Sequence, residues 1–250
     1  MEKINILGVE LDNLSLQEVL EEIKRMLASG QQHYIVTPNP EFIVAANNNP
    51  QFAEILNYAD IAVADGIGLV YAAKFLGQRL QRVTGVDLMA QICELAEQIN
   101  CSIYLLGGEE LVAAETAAEI KKYHPNLRLA GAESGGEILD PKTLDQDLID
   151  RINDAAPDIL FVAFGQVKQE AWIFYHLDRL PTVKLAVGVG GAFDFISGRV
   201  SRAPGIIRQF GLEWLYRLIR EPKRLPRIMR AIFVFPALII KAKYFSGLKK

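Results

Sequence analysis

Asp65 is the carboxylate of this chain best placed to do chemistry. It follows the apolar run Ile61–Ala64 (IAVA), so it emerges at a strand tip, with Gly66 and Gly68 leaving room beside it. A carboxylate partly desolvated there can accept a proton from an attacking hydroxyl. The same position suits a helix N-cap, because GIGLVYAAKF follows, and one residue can do both. A second polar cluster, RVTGVD, spans 82–87. There Arg82 can hold a phosphate, while Thr84 or Asp87 can cap the next helix; the sequence forces neither choice.

Other motifs carry less. GVGG at 188–191 has the spacing of a dinucleotide loop, but Phe193 stands where the third glycine belongs, so a nicotinamide enzyme is a minor reading. GGEE at 107–110 looks like a phosphate loop, yet two glutamates at a helix start repel phosphate and suit the helix dipole, which favours structural capping. Asp145 and Asp147 form a DxD of the kind that holds a metal in nucleotide-sugar enzymes. They fall inside a helix predicted over 141–155, where i and i+2 diverge, and read as solvated surface. His33, His124 and His176 lie far apart, which argues against zinc, and Cys93 and Cys101 read as reduced core residues. No metal or cofactor is expected.

The elements that must position these groups alternate. A hairpin around Ile4–Leu11 precedes a helix opened by the capping box Ser15/Glu18 and running to about Ala28. Strand-like runs follow at 33–37, 61–64, 102–106, 127–132, 159–164 and 185–189, with amphipathic helical stretches such as 86–99 and 111–123 between them. Strands that are apolar almost throughout, alternating with helices, predict a Rossmann-like α/β fold with a mostly parallel sheet covered on both faces. Ligands of such sheets bind beyond the carboxyl ends of the strands. Those ends read TPNPE, ADGIG, GGEE, ESGGE, FGQVKQE and GVGGAFDF. The pattern divides the chain into an α/β catalytic domain over 1–203 and a helical appendage over 204–250 that associates with membrane from about 217.

The 250 residues, half of them hydrophobic, suffice for one substantial core. A net charge of −3 conceals an uneven distribution. Positions 217–250 hold ten Lys and Arg against the single acid Glu221, leaving 17 basic and 29 acidic side chains elsewhere. A basic tail on an acidic body points to an anionic partner. Nucleic acid fits poorly, since no helix-turn-helix or stacking platform appears. In the tail, Leu225, Ile228, Met229, Ile232 and Phe233 follow helical spacing, interleaved with Arg224, Arg227 and Arg230. The apolar stretch 231–240 has ten residues and contains Pro236, whereas a bilayer span needs about twenty. A basic amphipathic segment lies in the interface instead, each cation adding roughly 1 kcal/mol at an anionic leaflet. The competing reading packs the stripe on its own domain or on another copy of the chain, making a homo-oligomer. Met1-Glu2-Lys3 opens no signal peptide. The expected location is cytoplasmic, peripheral on the inner face of the plasma membrane.

Taken together, these loops resemble the WecG/TagA/CpsF family of bacterial glycosyltransferases over about residues 4–230. The most specific stretches are TPNPEFIVAA, ADGIGLVYAAKFLG, RVTGVDL, the KQE of FGQVKQE, GVGGAFDFISGRVSRAP and GLEWLYRLIREPKRLPR. The resemblance implies inverting transfer of an N-acetylmannosamine-type sugar from a UDP-sugar donor to a polyprenyl-diphosphate-linked acceptor, without a metal, in cell-surface polymer synthesis. It implies Asp65 as base, Thr37 and Asn39 around the sugars, and Arg82 and Gln169 as polar site residues. It further implies Asp194 at the nucleoside, and Arg217, Arg224 and Arg227 closing over the diphosphate. Ala64 and Val167 stand where the family pattern usually has proline, which loosens two turns without removing a reacting group.

The implied chemistry is coherent. Inversion needs a base on the acceptor hydroxyl and positive charge on the departing nucleotide; without a metal, arginines must supply the latter. The alternative is a non-catalytic nucleotide- or lipid-binding protein with a degenerate site. On the enzyme reading, truncation from about Arg217 should abolish membrane binding and transfer, and truncation from about Ala231 should mainly loosen docking.

Overall fold

A computed structural model describes residues 2–205, 207, 213–220 and 225–245. The chain begins with an antiparallel hairpin, β1 (Lys3–Ile6) and β2 (Val9–Asp12), and then α1 (Leu16–Ala28). The Ser15/Glu18 capping box is formed as its sequence predicts. A six-stranded parallel sheet follows, made of β3 (His33–Val36), β4 (Ile61–Ala62), β5 (Ser102–Gly107), β6 (Arg128–Glu133), β7 (Ile159–Ala163) and β8 (Leu185–Gly188). Its order is β4-β3-β8-β7-β5-β6, so the last strand fills the centre between β3 and β7. The six predicted strands are all present, within two residues at most boundaries.

β7 and β8 are buried at every residue, as a parallel sheet covered on both faces requires. Alternate side chains feed two cores. Tyr34, Val36, Leu160, Val162 and Ala186 point to one face, against α2 (Pro40–Asn48), α3 (Pro50–Tyr58) and α8 (Lys168–His176). Ile35, Phe161, Leu185 and Val187 point to the other, against α1, α5 (Gly85–Gln98), α6 (Val112–Tyr123) and α9 (Ala192–Ile196). α4 (Ile67–Phe75) follows β4 on the first face, and α7 (Gln146–Ala155) precedes β7.

The helix expected over 141–155 begins only at Gln146. Asp145 is its N-cap, accepting the Leu148 N–H, so the DxD straddles a helix start on exposed surface. Beyond Gly188 the described residues form no strand. They form helices Glu213–Arg220, Leu225–Met229 and Phe235–Phe245, with a π-helical turn at Arg230–Val234 ahead of Pro236.

The apolar residues of 225–240, the stripe and the stretch that follows it, divide in two. Ile228, Phe235 and Ile239 are buried, the last two joining the core beside α2. Leu225, Met229, Phe233 and Ile240 remain exposed, next to exposed Arg230, Lys241 and Lys243. No helix among the described residues is long and apolar enough to cross a membrane.

Candidate functional site

The carboxyl ends of β3, β4, β5, β7 and β8 converge on two adjoining cavities. The first, of about 550 Å³, is polar: Thr37, Gln166, Gln169, Gly190, Asp194 and Arg227 contribute to its wall. The second, of about 470 Å³, is mostly apolar, with Ile67, Tyr71, Val86, Phe195, Ile232 and Pro236 around it and Arg82 also in its lining. Asn39, Glu41, Asp65, Trp214 and Ile228 line both. The carboxylate singled out from sequence therefore stands where the two cavities meet.

Backbone pairing puts it there. The Asp65 N–H donates to Pro38 O at 2.9 Å, and the Val83 N–H donates to Ala64 O at 2.9 Å, with Arg82 bridged to Ala64. The loops after β3 and β4 and the segment 82–83 thus run side by side. Asp65 does not cap α4, whose N-cap is Gly66 with no side-chain bond, so the capping alternative drops out. Its carboxyl instead lies beside the Gly85 backbone, whose N–H favours the ionised form. Burial pushes that carboxyl up to about 6. Arg82 and the Gly85 backbone oppose the rise, and Glu213 and Asp87 add to it. A group with this value is ionised at neutral pH and basic enough to take a proton from a hydroxyl.

Thr37 is buried beside it. A Cβ at Gly85 would stand 3.2 Å from Thr37 Oγ1 and 3.8 Å from Asp65 Oδ2, so both oxygens face one gap that only glycine leaves open. Gly66 and Gly68 have a different role from the one expected. A Cβ at either would come within 2.5 and 2.7 Å of the Pro40 ring, so the room beside Asp65 is filled by that proline. Asn39 Oδ1 accepts the Glu41 and Phe42 N–H groups and caps α2. Its amide nitrogen is turned to neither bond.

The arginines are held by carboxylates. Arg82 Nη2 lies 3.9 Å from Glu213 Oε2, and Arg202 joins Glu213 (3.4 Å) to Asp87 (2.7 Å). Thr84 caps α5 through the Asp87 N–H, which settles the choice the sequence left open. Arg227 donates to Glu41 Oε2 at 2.9 Å and to Gln166 Oε1 at 3.0 Å, at the rim of the polar cavity. Arg217 lies within Glu213–Arg220, its side chain outside the described residues, and Arg224 is also outside them. Asp194, in the first turn of α9, reaches the polar cavity. Gln169 is almost fully buried, with both ends of its amide bonded inside the protein.

Of the two glycine-rich loops, GVGG acquires a packing explanation. A Cβ at Gly188 would fall 2.8 Å from Glu170 Oε1 and 2.9 Å from Gln169 Nε2. GGEE does not cap: Leu111 is the N-cap of α6 without a side-chain bond, and Gly108 and exposed Glu109 face the polar cavity. Sequence reasoning missed Glu41, Gln166, Gly85, Glu213 and Trp214. Glu41 and Gln166 lay inside the quoted loop ends, and Glu213 and Trp214 inside GLEWLYR, but only the fold brings them to Asp65.

A family model described as "Glycosyl transferase WecG/TagA/CpsF family" matches residues 4–248. The chain is 33% identical over 244 residues to a protein of Staphylococcus aureus strain MRSA252 named N-acetylglucosaminyldiphosphoundecaprenol N-acetyl-beta-D-mannosaminyltransferase, covering 96% of this chain and 93% of the relative. Proteins of the same name from strains MW2 and NCTC 8325 match with the same identity and coverage.

Proposed function

For this chain, which belongs to the WecG/TagA/CpsF family of glycosyl transferases, we propose a UDP-linked donor, a polyprenyl-diphosphate-linked acceptor and Asp65 as the base between them. The observation that carries the reading is the meeting of a polar and an apolar cavity at one raised carboxyl. The polar cavity takes the nucleotide sugar, with Asp194 at the nucleoside and Arg227 at the diphosphate. The apolar cavity takes the acceptor, its diphosphate near Arg82 and its first isoprene units along Ile67, Tyr71 and Ile232. By analogy with the named relatives, the sugar transferred is N-acetylmannosamine and the acceptor sugar is N-acetylglucosamine.

In the reaction, Asp65 removes the proton from the acceptor hydroxyl as its oxygen attacks the anomeric carbon. The bond to the nucleotide breaks on the opposite face, which inverts the centre and releases UDP. Arg227 and Arg82 leave Glu41 and Glu213 to neutralise the phosphates, an exchange of carboxylate for phosphate oxygen that keeps each guanidinium paired. The exposed face of Leu225, Met229, Phe233 and Ile240, with Arg230, Lys241 and Lys243 beside it, rests on an anionic membrane from which the acceptor is drawn.

The test is UDP release from UDP-N-acetylmannosamine with a short-chain prenyl-diphospho-N-acetylglucosamine, against a panel of other UDP-sugars. Release that depends on the acceptor is expected. UDP binding without release in the presence of any such acceptor would favour a binding protein over an enzyme.

A further inference from the structure

Glu170 is fully buried, and both of its oxygens are used. Oε2 accepts the Val167 N–H at 2.9 Å, and Oε1 accepts Gln169 Nε2 at 2.6 Å. Gln169 Oε1 in turn accepts the Gly190 N–H at 2.9 Å. These bonds tie the loop after β7 to the loop after β8, and both loops line the polar cavity. The brace is built tightly. Gly188 leaves no room for a side chain beside the two polar groups, and Val167 holds a φ of +73°, which a β-branched residue rarely adopts. Proline at 167 would have neither that φ nor an N–H to give.

The series also has a direction. Val167 N–H and Gln169 Nε2 donate to the two different terminal atoms of residue 170, so both must be acceptors, which an ionised carboxylate provides and an amide does not. With glutamine at 170, one donor would face another at Val167, at residue 169 or, after a flip of Gln169, at Gly190.

We propose that Glu170 is a positioning residue of the donor site, acting through Gln169 to orient the Gly190 peptide that floors the polar cavity. The donor assignment rests on the function proposed above; the brace itself does not. Burial lifts the Glu170 carboxyl to about 7, consistent with a group kept for its bonding pattern at some cost in solvation.

The experiment compares wild type, Glu170→Gln and the exchanged pair Gln169→Glu/Glu170→Gln by amide hydrogen exchange and UDP binding. The exchanged pair satisfies all three donors again: the amide now at 170 accepts from Val167 and donates to the carboxylate now at 169, which accepts from Gly190. In Glu170→Gln, exchange at Gly190 should accelerate and the Kd for UDP rise about tenfold, the effect of one lost hydrogen bond. kcat at saturating donor should change little. The exchanged pair should restore slow exchange at Gly190. If Glu170 only caps α8, the single variant will speed exchange at Val167 and leave Gly190 unaffected, which overturns the proposal. So does an exchanged pair no better protected than the single variant. If Glu170→Gln does not fold, the exchanged pair must fold, and its failure is equally decisive. Failure of the wild type to bind UDP would overturn the donor assignment instead, with Gly190 exchange still deciding the brace.

Discussion

Asp65→Asn should lower activity and raise stability at once. Lifting the carboxyl from 3.8 to about 6 corresponds to roughly 3 kcal/mol against its ionised form in the folded protein. The folded value lies above the unfolded one. The contribution to stability is therefore fully present below about pH 3.8 and is lost as pH rises through about 6. Asparagine removes this loss. At pH 8 the variant should gain up to about 3 kcal/mol, an increase in Tm of several degrees for a chain of this size. At pH 5 the gain should be about half as large, because the folded carboxyl is then mostly protonated. Turnover should fall about a hundredfold or more. Thermal melts at both pH values and UDP release at saturating substrates measure the two effects. Near-normal turnover would remove Asp65 as the base, and an unchanged or lower Tm at pH 8 would refute the argument from burial.

The wild-type kcat should itself drop about tenfold between pH 7 and pH 5. Arg82→Met should move that limb to higher pH and Glu213→Gln to lower pH, because these groups act on Asp65 with opposite sign; a common direction in a pH–rate series would contradict the assignment. Gly85→Ala should cut kcat at least severalfold with little change in Tm, since its methyl group enters the gap between Thr37 and Asp65; normal kinetics would show that the gap is not used. Arg227→Met should raise the donor KM about tenfold with a smaller effect on the acceptor KM, and steady-state kinetics with each substrate varied would reveal the reverse. Met229→Glu/Phe233→Glu should weaken sedimentation with anionic phospholipid vesicles while leaving the Tm unchanged, whereas Phe235→Ala should cost about 3–5 kcal/mol in a denaturant melt.

The strands and the position of Asp65 were legible because burial on both faces of a parallel sheet yields unbroken apolar runs, and a run's end marks a strand tip. What the carboxyl touches was not legible. Gly85 follows Asp65 by twenty positions, and it reaches the carboxyl only because segment 82–83 pairs with Ala64. The glycines illustrate the same limit. Gly66, Gly68 and Gly188 looked like openings for a ligand, yet each is small because a neighbouring side chain occupies the space, which depends on strand order and not on local sequence. Asp145 shows the limit of periodicity at helix ends, where an acidic cap and an interior surface residue look alike until the backbone bond to Leu148 is seen.

The tail changes most on this comparison. Read as one amphipathic stripe, residues 225–233 offered a single apolar face that had to choose between membrane and protein. The structure has two series, Ile228, Phe235 and Ile239 inward and Leu225, Met229, Phe233 and Ile240 outward. Both partners can then be satisfied together. The consequence for truncation is specific. Removing residues from Ala231 onward takes away Phe235 and Ile239, exposing the core beside α2, the helix that Asn39 caps and from which Glu41 holds Arg227. That deletion should therefore lower the Tm and impair transfer as well as docking, a stronger effect than loss of an anchor. A truncated protein with wild-type Tm and full transfer to a short-chain, detergent-soluble acceptor would show that the inward series does not support the site.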